Sequence, residues 1–449
     1  MRFLTSLLLI LILSVATFGQ NVLTLDQAIN IALKRNTTLQ KSVNSIKSSE
    51  SNYKASLGAL LPTIGADGLW SWSNSTQQGS SVAINGYVFN VPSSTTETRT
   101  YSAGVNANWT LFDGLSNIAN ISQSKDALES ARMLLENLKQ TIVFQTITYY
   151  YAVVNNQQLL KVQIDNVTMN KKNLETIVER NKLGAATLAD VYNQQVQEGT
   201  AELGQIQAEN NLETAKSNLL YYLGIDVLTN YTFADSLTDN EQDILNSNLS
   251  TKFGDLNDLA QSALSNRSDY KSAILDYEAA KSGVTSAEGG YFPSITTYNT
   301  GYNLYANQLS DLSKSRTLSM GLSLNIPIFN GFSVDNSVQA AEVAAMNKKV
   351  DMDDLKRTVK QNLQTTYLSV LAAEKSLEVN KRDVLSTGES LRIAQEKYSL
   401  GSGTLLDVLI ANSNDTTAKT NYINSEFQYI VLNAQLKFYL GELDYKSFE

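Results

Sequence analysis

Few side chains in this sequence are equipped for chemistry, and the most patterned of them are two Thr-Asp pairs. Thr187 with Asp190 and Thr404 with Asp407 form Thr-x-x-Asp steps, each shortly after a Leu-Gly pair, Leu183-Gly184 and Leu400-Gly401. A hydroxyl and a carboxylate at that spacing are the reciprocal partners of a helix capping box. Each Asp is also a negative charge near the positive end of a helix. Asp190 and Asp407 thus have a structural reading as caps beside a functional one as charged groups at a constriction. The 449 residues contain no cysteine and no histidine. That removes thiolate nucleophiles, disulfides, Cys/His zinc sites and imidazole acid-base chemistry. Asp351, Asp353 and Asp354 cluster on a helical stretch but lack the loop and glycine of a calcium site, so they read as a solvated face. Tyr149, Tyr150 and Tyr151 read as helix packing. No phosphate loop, nucleophile elbow or paired-carboxylate motif stands in a usable context. The expectation is a protein that is not an enzyme, with no cofactor and no metal.

Both Leu-Gly-to-Thr steps are turns between helices, since Gly184 and Gly401 can take the left-handed conformation that closes one helix and Thr opens the next. The two turns are 217 residues apart (401 − 184). The same offset pairs Leu-Phe-Asp-Gly114 with Ile-Phe-Asn-Gly331, Tyr150 with Tyr367, and Leu223-Gly224 with Leu440-Gly441. Upstream the offset is 231 (293 − 62), pairing Leu61-Pro62 with Phe292-Pro293, Leu25 with Leu256 and Ala32 with Ala263. One plan is therefore used twice. Residues 23–59 read as a helix and 115–183, free of Pro and internal Gly, as a second of roughly 100 Å.

All four prolines lie in or beside two alternating segments, the strand hairpins 62–111 and 293–328. In the first, Ile64, Ala66, Gly68, Trp70 and Trp72 share one face and Thr63, Gly65, Asp67, Ser71 and Ser73 the other. The return strand puts Tyr101, Val105, Trp109 and Leu111 on one side, and 74–99 between them reads as a polar loop. In the second, Leu318, Met320, Leu322, Leu324, Ile326 and Ile328 alternate with polar or small residues. For the strand 294–305 the repeat places Ile295, Thr297 and Gly301 outward whereas hydrophobicity selects Tyr298, Tyr302 and Leu304, and its facing is left open.

Four strands with one apolar face require an apolar neighbour. Trp70, Trp72 and Trp109 stand at the strand ends, and the ten residues from Pro62 to Trp72 span about 25 Å in height at barrel tilt, the dimensions of an outer-membrane barrel with aromatic girdles. Four strands cannot close a barrel alone, and open edges are not tolerated in lipid. The barrel must be shared between subunits, eight strands from two chains or twelve from three. Residues 1–19, basic and then apolar, read as a signal peptide. The chain is acidic, with net charge −9, so no nucleic-acid partner is expected. A periplasmic coiled-coil scaffold or adhesin without a channel is the competing reading.

The duplicated helix-strand-strand-helix plan, the Leu61-Pro62 and Phe292-Pro293 strand starts, the Gly114 and Gly331 exits and the two Leu-Gly turns together resemble the outer-membrane efflux proteins of the TolC family over nearly all of the mature length. The resemblance implies a mainly α protein with a transmembrane β part: a long α-helical coiled-coil barrel joined to a 12-stranded barrel shared by a homotrimer. It implies an exit duct of a tripartite efflux or type I secretion system, in the outer membrane with a long periplasmic extension. Its partners would be a periplasmic adaptor, an inner-membrane transporter reached through that adaptor, and outer-membrane lipid. By this likeness Leu183, Gly184, Thr187, Leu400, Gly401 and Thr404 mark the periplasmic tip where the adaptor docks, and Asp190 and Asp407 are constriction candidates. Trp70, Trp72, Trp109, Leu322, Leu324 and Ile326 would face lipid. The pattern departs from the family's at Ile410, Gly403 and Ala189, where a second acid, an Arg and a Thr are expected. The expected division is a first repeat at 20–224, a connector at 225–254 in an equatorial region, a second repeat at 255–441 and a tail at 442–449.

Overall fold

The computed structural model describes residues 22–229, 231–234, 239–246 and 255–448. The expected signal peptide at 1–19, and the connector's residues 230, 235–238 and 247–254, lie outside the described residues. The chain runs β1 (Val22–Leu23), α1 (Leu25–Arg35), α2 (Thr37–Gly58), then strands β2 (Thr63–Gln77), β3 (Ser80–Ile84), β4 (Tyr87–Val91), β5 (Ser94–Asn108) and β6 (Thr110–Asp113). Helices α3 (Ser116–Lys182) and α4 (Leu188–Leu223) follow, then β7 (Thr232–Phe233) and α5 (Asp239–Asn246). The second pass comprises α6 (Leu256–Asn266), α7 (Ser268–Glu288), β8 (Ser294–Ala306), β9 (Arg316–Asn325), α8 (Ser333–Ser399) and α9 (Leu405–Leu440). The duplication extends to length: α3 and α8 each have 67 residues, and α4 and α9 each have 36. Among the described residues no helix is long and apolar enough to cross a membrane.

Two compact units form. One takes the chain up to Asn44, Met133–Lys271 and everything from Asp354 on; the other takes Ser45–Arg132 and Ser272–Asp353.

In the first unit the repeat yields two cores from equivalent residues. Ile142 and Val359, Val153 and Val370, Leu219 and Leu436, and Leu223 and Leu440 are related by the 217-residue offset, and none is more than 2% exposed. Burying each such side chain stabilises by about 1.5–3 kcal/mol. Tyr150 and Tyr151 lie in the first core against Phe233 and Phe427, and the Tyr150 hydroxyl donates to the Leu23 carbonyl at 3.3 Å. That is the packing role their sequence context suggested.

The helix expected over 23–59 is broken at Asn36. Its side chain accepts from the amides of Thr38 and Leu39, which starts α2 afresh, as an Asn at an N-cap does. Asn36 Nδ2 also donates to the Tyr222 carbonyl at 3.4 Å. In the second repeat Arg267 occupies the equivalent break and donates to the equivalent carbonyl, that of Tyr439, at 3.3 Å. Gly224 and Gly441, both left-handed caps, sit against these breaks so closely that a Cβ on either would stand 3.1 Å from the facing backbone or Cβ. Different side chains thus tie the same joint.

The second unit carries the sheet, ordered β2, β5 with β6, β8, β9, antiparallel throughout. Its register puts Ile64, Ala66, Gly68 and Trp70 opposite Ala107, Val105, Ala103 and Tyr101, and these in turn beside Tyr302, Leu304 and Ala306. The facing of β8, which the sequence left open, follows from a bulge. Register with β9 shifts between Tyr298 and Gly301, where Asn299 takes a φ of 47°. Because two residues then oppose one, Ile295 and Thr297 share the apolar face before the bulge and Tyr302 and Leu304 after it. Each pattern was right on its own side, while Tyr298 pairs with Gly321 and Gly301 with Ser319 on the polar face.

Three expectations change. The segment 74–99 is not a loop: β2 and β5 pair out to Gln77 and Ser94, and β3 and β4 form a further hairpin. Its turn is Asn85-Gly86 with φ of 53° and 82°, the dipeptide that two-residue hairpin turns favour. Second, Ile326 is not in a strand, because β9 ends at Asn325 and Pro327 has no amide to continue the ladder. Third, Trp109 sits at a break between β5 and β6 rather than within a strand, its indole N–H donating to the Leu60 carbonyl at 2.9 Å.

Candidate duct surfaces

Strand alternation places two contrasting surfaces on the sheet. The apolar one is open to its surroundings: Ile64 is 72% exposed, Trp70 61%, Leu322 69% and Leu324 61%. Among the described residues no helix of the unit covers it. Trp72 donates its indole N–H to Glu97 at 2.7 Å, and Glu97 pairs with Arg99 at 3.0 Å. An apolar ring with a polar tip held by a charged pair is what a membrane-water boundary favours.

The opposite face is a polar row. Asn106 donates to Asp67 and accepts from Asn303 at 3.4 Å, which links β2, β5 and β8. Gly104 and Gly301 make room for it, since a Cβ at either would overlap the neighbouring Asn side chain. The amide row went unrecognised from sequence, where the pattern showed polarity but not which residues meet.

At the helical turns, Gly184 and Gly401 take φ of 73° and 76°. Gly184 N–H bonds the Asn181 carbonyl and Ala185 N–H that of Arg180. Gly401 and Ser402 repeat this on Tyr398 and Lys397, so both helices close by the Schellman motif. Thr187 and Thr404 then cap the following helices. Asp190 Oδ2 accepts from the Thr187 amide at 2.9 Å and its hydroxyl at 2.8 Å; Asp407 Oδ2 accepts from the Thr404 amide at 2.9 Å and its hydroxyl at 2.7 Å. Gly403 also donates to Lys397, and a Cβ there would lie 3.0 Å from the Lys397 Cβ. Any side chain at this position, including the Arg that the family pattern expects, would press on Lys397 and the Tyr398 amide.

Leu183 and Leu400 point away from the turns, 83% and 77% exposed. Behind them Ile177, Val191 and Leu405 pack together with Leu174, Ala186 and Tyr398. Arg180 joins the two turns, its guanidinium 4.5 Å from the centre of the Tyr398 ring and donating to the Tyr398 carbonyl at 3.0 Å. This link was not legible in sequence, because the repeat pairs Arg180 with Lys397 and the contact is to the residue after it.

Hydrogen bonds from the Thr hydroxyl and then the Thr amide hold the Asp190 and Asp407 carboxyls below the ordinary value of 3.8. The folded form is thus the stronger acid. Its capping contribution is complete above 3.8 and is lost as pH falls through the depressed folded value. Hydrogen exchange at residues 405–408, corrected for intrinsic rates, is expected to be flat from pH 7 to 5 and to rise only below 3.8. In Thr404→Ala, which removes a cap worth about 1 kcal/mol, exchange is faster at every pH.

Comparison with known proteins decides what these surfaces belong to. The family model described as "Outer membrane efflux protein" matches residues 28–225 and 259–442. The chain belongs to the outer membrane efflux protein family. The outer membrane protein TolC of Salmonella enteritidis is 23% identical over 438 residues, 94% of this chain and 84% of its own. TolC of Escherichia coli (strain K12) is 23% identical over 402 residues, 86% of this chain and 75% of its own. A solved structure of CusC superposes with a TM-score of 0.80 at 17% identity, covering 93% of this chain and 92% of that one, and at that identity it speaks for the fold. The efflux protein is accordingly an outer-membrane channel protein with helices in the periplasm, from a transport family rather than an enzyme family. Proteins of this kind are homotrimeric channels that work with periplasmic adaptors and inner-membrane pumps.

Proposed function

We propose that three copies of the chain close their sheets into one 12-stranded barrel and pass substrates passively from the helical turns to the outside. The observation that carries this is the sheet: four strands, an apolar face left uncovered, a polar face linked across strands, and free edges at β2 and β9. In lipid those edges must pair, and β2 of one subunit beside β9 of the next satisfies both. The Asp67-Asn106-Asn303 row then lines water. No catalytic step is assigned to the chain; energy enters through the pump.

The periplasmic adaptor docks on the turns, where Leu183 and Leu400 offer apolar contacts that no described residue buries. Asp190 and Asp407 act there first as helix caps. The expected division into repeats at 20–224 and 255–441 is retained as the functional plan, each supplying one hairpin of strands and one turn. Leu183→Asp combined with Leu400→Asp should abolish efflux in cells, read as loss of resistance to a pump substrate, while detergent-extracted protein keeps the wild-type mass. Full efflux by this variant would move the docking surface away from the turns.

A further inference from the structure

The polar face of the sheet carries charge of one sign. Arg99 pairs with Trp72 and Arg316 with Leu304, so both belong to the apolar face, and Glu97 shares the parity of Arg99. On the polar face the strands hold two carboxylates and no cation. Asp113, at the foot of β6 opposite Ser294, accepts from the Asn117 amide at 2.9 Å and so caps the start of α3. Asp67 is the other.

Asp67 is exposed and lies directly opposite Gly104, which has no side chain to cover it. Asn106 Nδ2 donates to Asp67 Oδ1, and Asn303 Nδ2 donates to Asn106 Oδ1 at 3.4 Å. Two amides in series thus fix one oxygen of the carboxylate against the wall. Glu97 has Arg99 beside it and Asp311 has Lys314, whereas among the described residues no Lys or Arg pairs with Asp67. Its charge is left uncompensated.

Its height is set by the strand. Asp67 stands four residues from the start of β2 at Thr63 (67 − 63) and five from Trp72 (72 − 67), about 13 and 17 Å along the strand. That is midway across the apolar band. Twelve strands about 4.8 Å apart and tilted by about 40° enclose a radius of about 12 Å. The screening length is about 30 Å in 0.01 M salt and about 3 Å in 1 M. In dilute salt three carboxylates at one height therefore reach the axis, and the low-dielectric wall behind them concentrates their field in the water. In concentrated salt they do not.

We propose that Asp67 determines the charge selectivity of the barrel: its three copies form a carboxylate ring within the membrane that favours the passage of cations, and of cationic substrates, over anions. A ring of charged side chains is a sufficient device for such selection. The inference rests on the trimeric barrel proposed above, with the polar face turned to water.

The test is the potassium-to-chloride permeability ratio, taken from the reversal potential of purified trimer in bilayers of neutral lipid. In KCl of about 0.01 M, Asp67→Asn is expected to lower the ratio by roughly twofold or more. Ser71→Asp puts a carboxylate on the same face, opposite Thr100, and in the Asp67→Asn background it is expected to restore the ratio. In KCl of about 1 M the variants should converge on wild type. Native mass is read on every preparation, and Asp67→Ser stands in if Asp67→Asn does not assemble. An unchanged ratio in an intact trimer overturns the proposal and leaves the barrel standing, and a fall confined to Asp407→Asn would assign selectivity to the helical turns instead. A fall that Ser71→Asp does not restore also overturns it, making Asp67 a partner of Asn106 alone. Failure of both Asp67 variants to assemble overturns it in favour of a role in assembly. Wild-type protein that is not a trimer overturns the barrel reading and the proposal with it.

Discussion

Leu322→Arg is expected to stop the barrel from assembling. Leu322 lies near the middle of β9, opposite Thr297, on the same face as Leu324 and Ile295, and is 69% exposed. A cation facing lipid near the bilayer midplane costs about 2–4 kcal/mol, and every subunit of a trimer carries one. Set against a native stability of about 5–15 kcal/mol per chain, one such penalty in every chain is a large fraction of it. Ser323→Arg is the matched control, since Ser323 pairs with Thr296 on the polar face. It should assemble normally and shift ion selectivity toward anions, because a lumen substitution changes the field in the pore. The measurement is the amount of trimer in the outer-membrane fraction. Normal trimer from Leu322→Arg would mean that this face meets protein or water instead of lipid.

Arg267→Ala should be the most damaging single change in the helical unit. The Arg267 side chain is only 8% exposed, and its guanidinium makes a two-pronged contact with Asp269, 2.9 Å from Nε to Oδ1 and 2.5 Å from Nη2 to Oδ2. It also satisfies the Tyr439 carbonyl and lies 5.8 Å from the ring centres of Phe438 and Tyr439. Truncation leaves the carboxylate of Asp269, whose side chain is 16% exposed, without its cation. Breaking a buried pair this way costs about 3–5 kcal/mol. Arg267→Lys keeps the charge but not the fork and should lose less. Replacing both partners with Arg267→Met and Asp269→Leu should recover much of the loss. Thermal loss of helical circular dichroism in purified protein checks the order: wild type highest, Arg267→Ala lowest.

How much of this was legible follows from the kind of signal each feature leaves. The long helices, the two turns and the capping Thr-Asp pairs are local, set by residues within four positions of one another, and they stand where the sequence put them. The break at Asn36 is also local, and Asn-Thr-Thr there is an N-cap signal that helical periodicity on both sides obscured. The Asn85-Gly86 turn was hidden by composition, because a Ser/Thr-rich segment reads as a loop even when its strands pair. Features that depend on contacts distant in sequence left no trace. Arg180 on Tyr398, Asn106 on Asp67 and Arg267 on the Tyr439 carbonyl each join residues that no periodicity relates. The bulge at Asn299 shows the limit most plainly, since two conflicting face assignments were each correct for half of one strand.

Strain at the strand-to-helix corners belongs to the same account. Leu115 and Phe332, equivalent under the repeat, both follow a left-handed glycine and themselves take φ of 71° and 64°. A left-handed bulky residue costs about 1–2 kcal/mol. Both side chains are also open to their surroundings, 52% and 70% exposed. Their recurrence in both repeats ties the strain to the sharp turn that each strand must make into its long helix.

The central claim is that the four strands of one chain are a third of a barrel. The most direct measurement is the native mass of the complex extracted by detergent from an outer-membrane fraction. Three times the mass of the mature chain is the predicted result, with the complex lost when detergent is withdrawn. A monomer that stays dispersed without detergent would contradict the account, because the exposed apolar face of the sheet would then have neither lipid nor a second subunit to cover it.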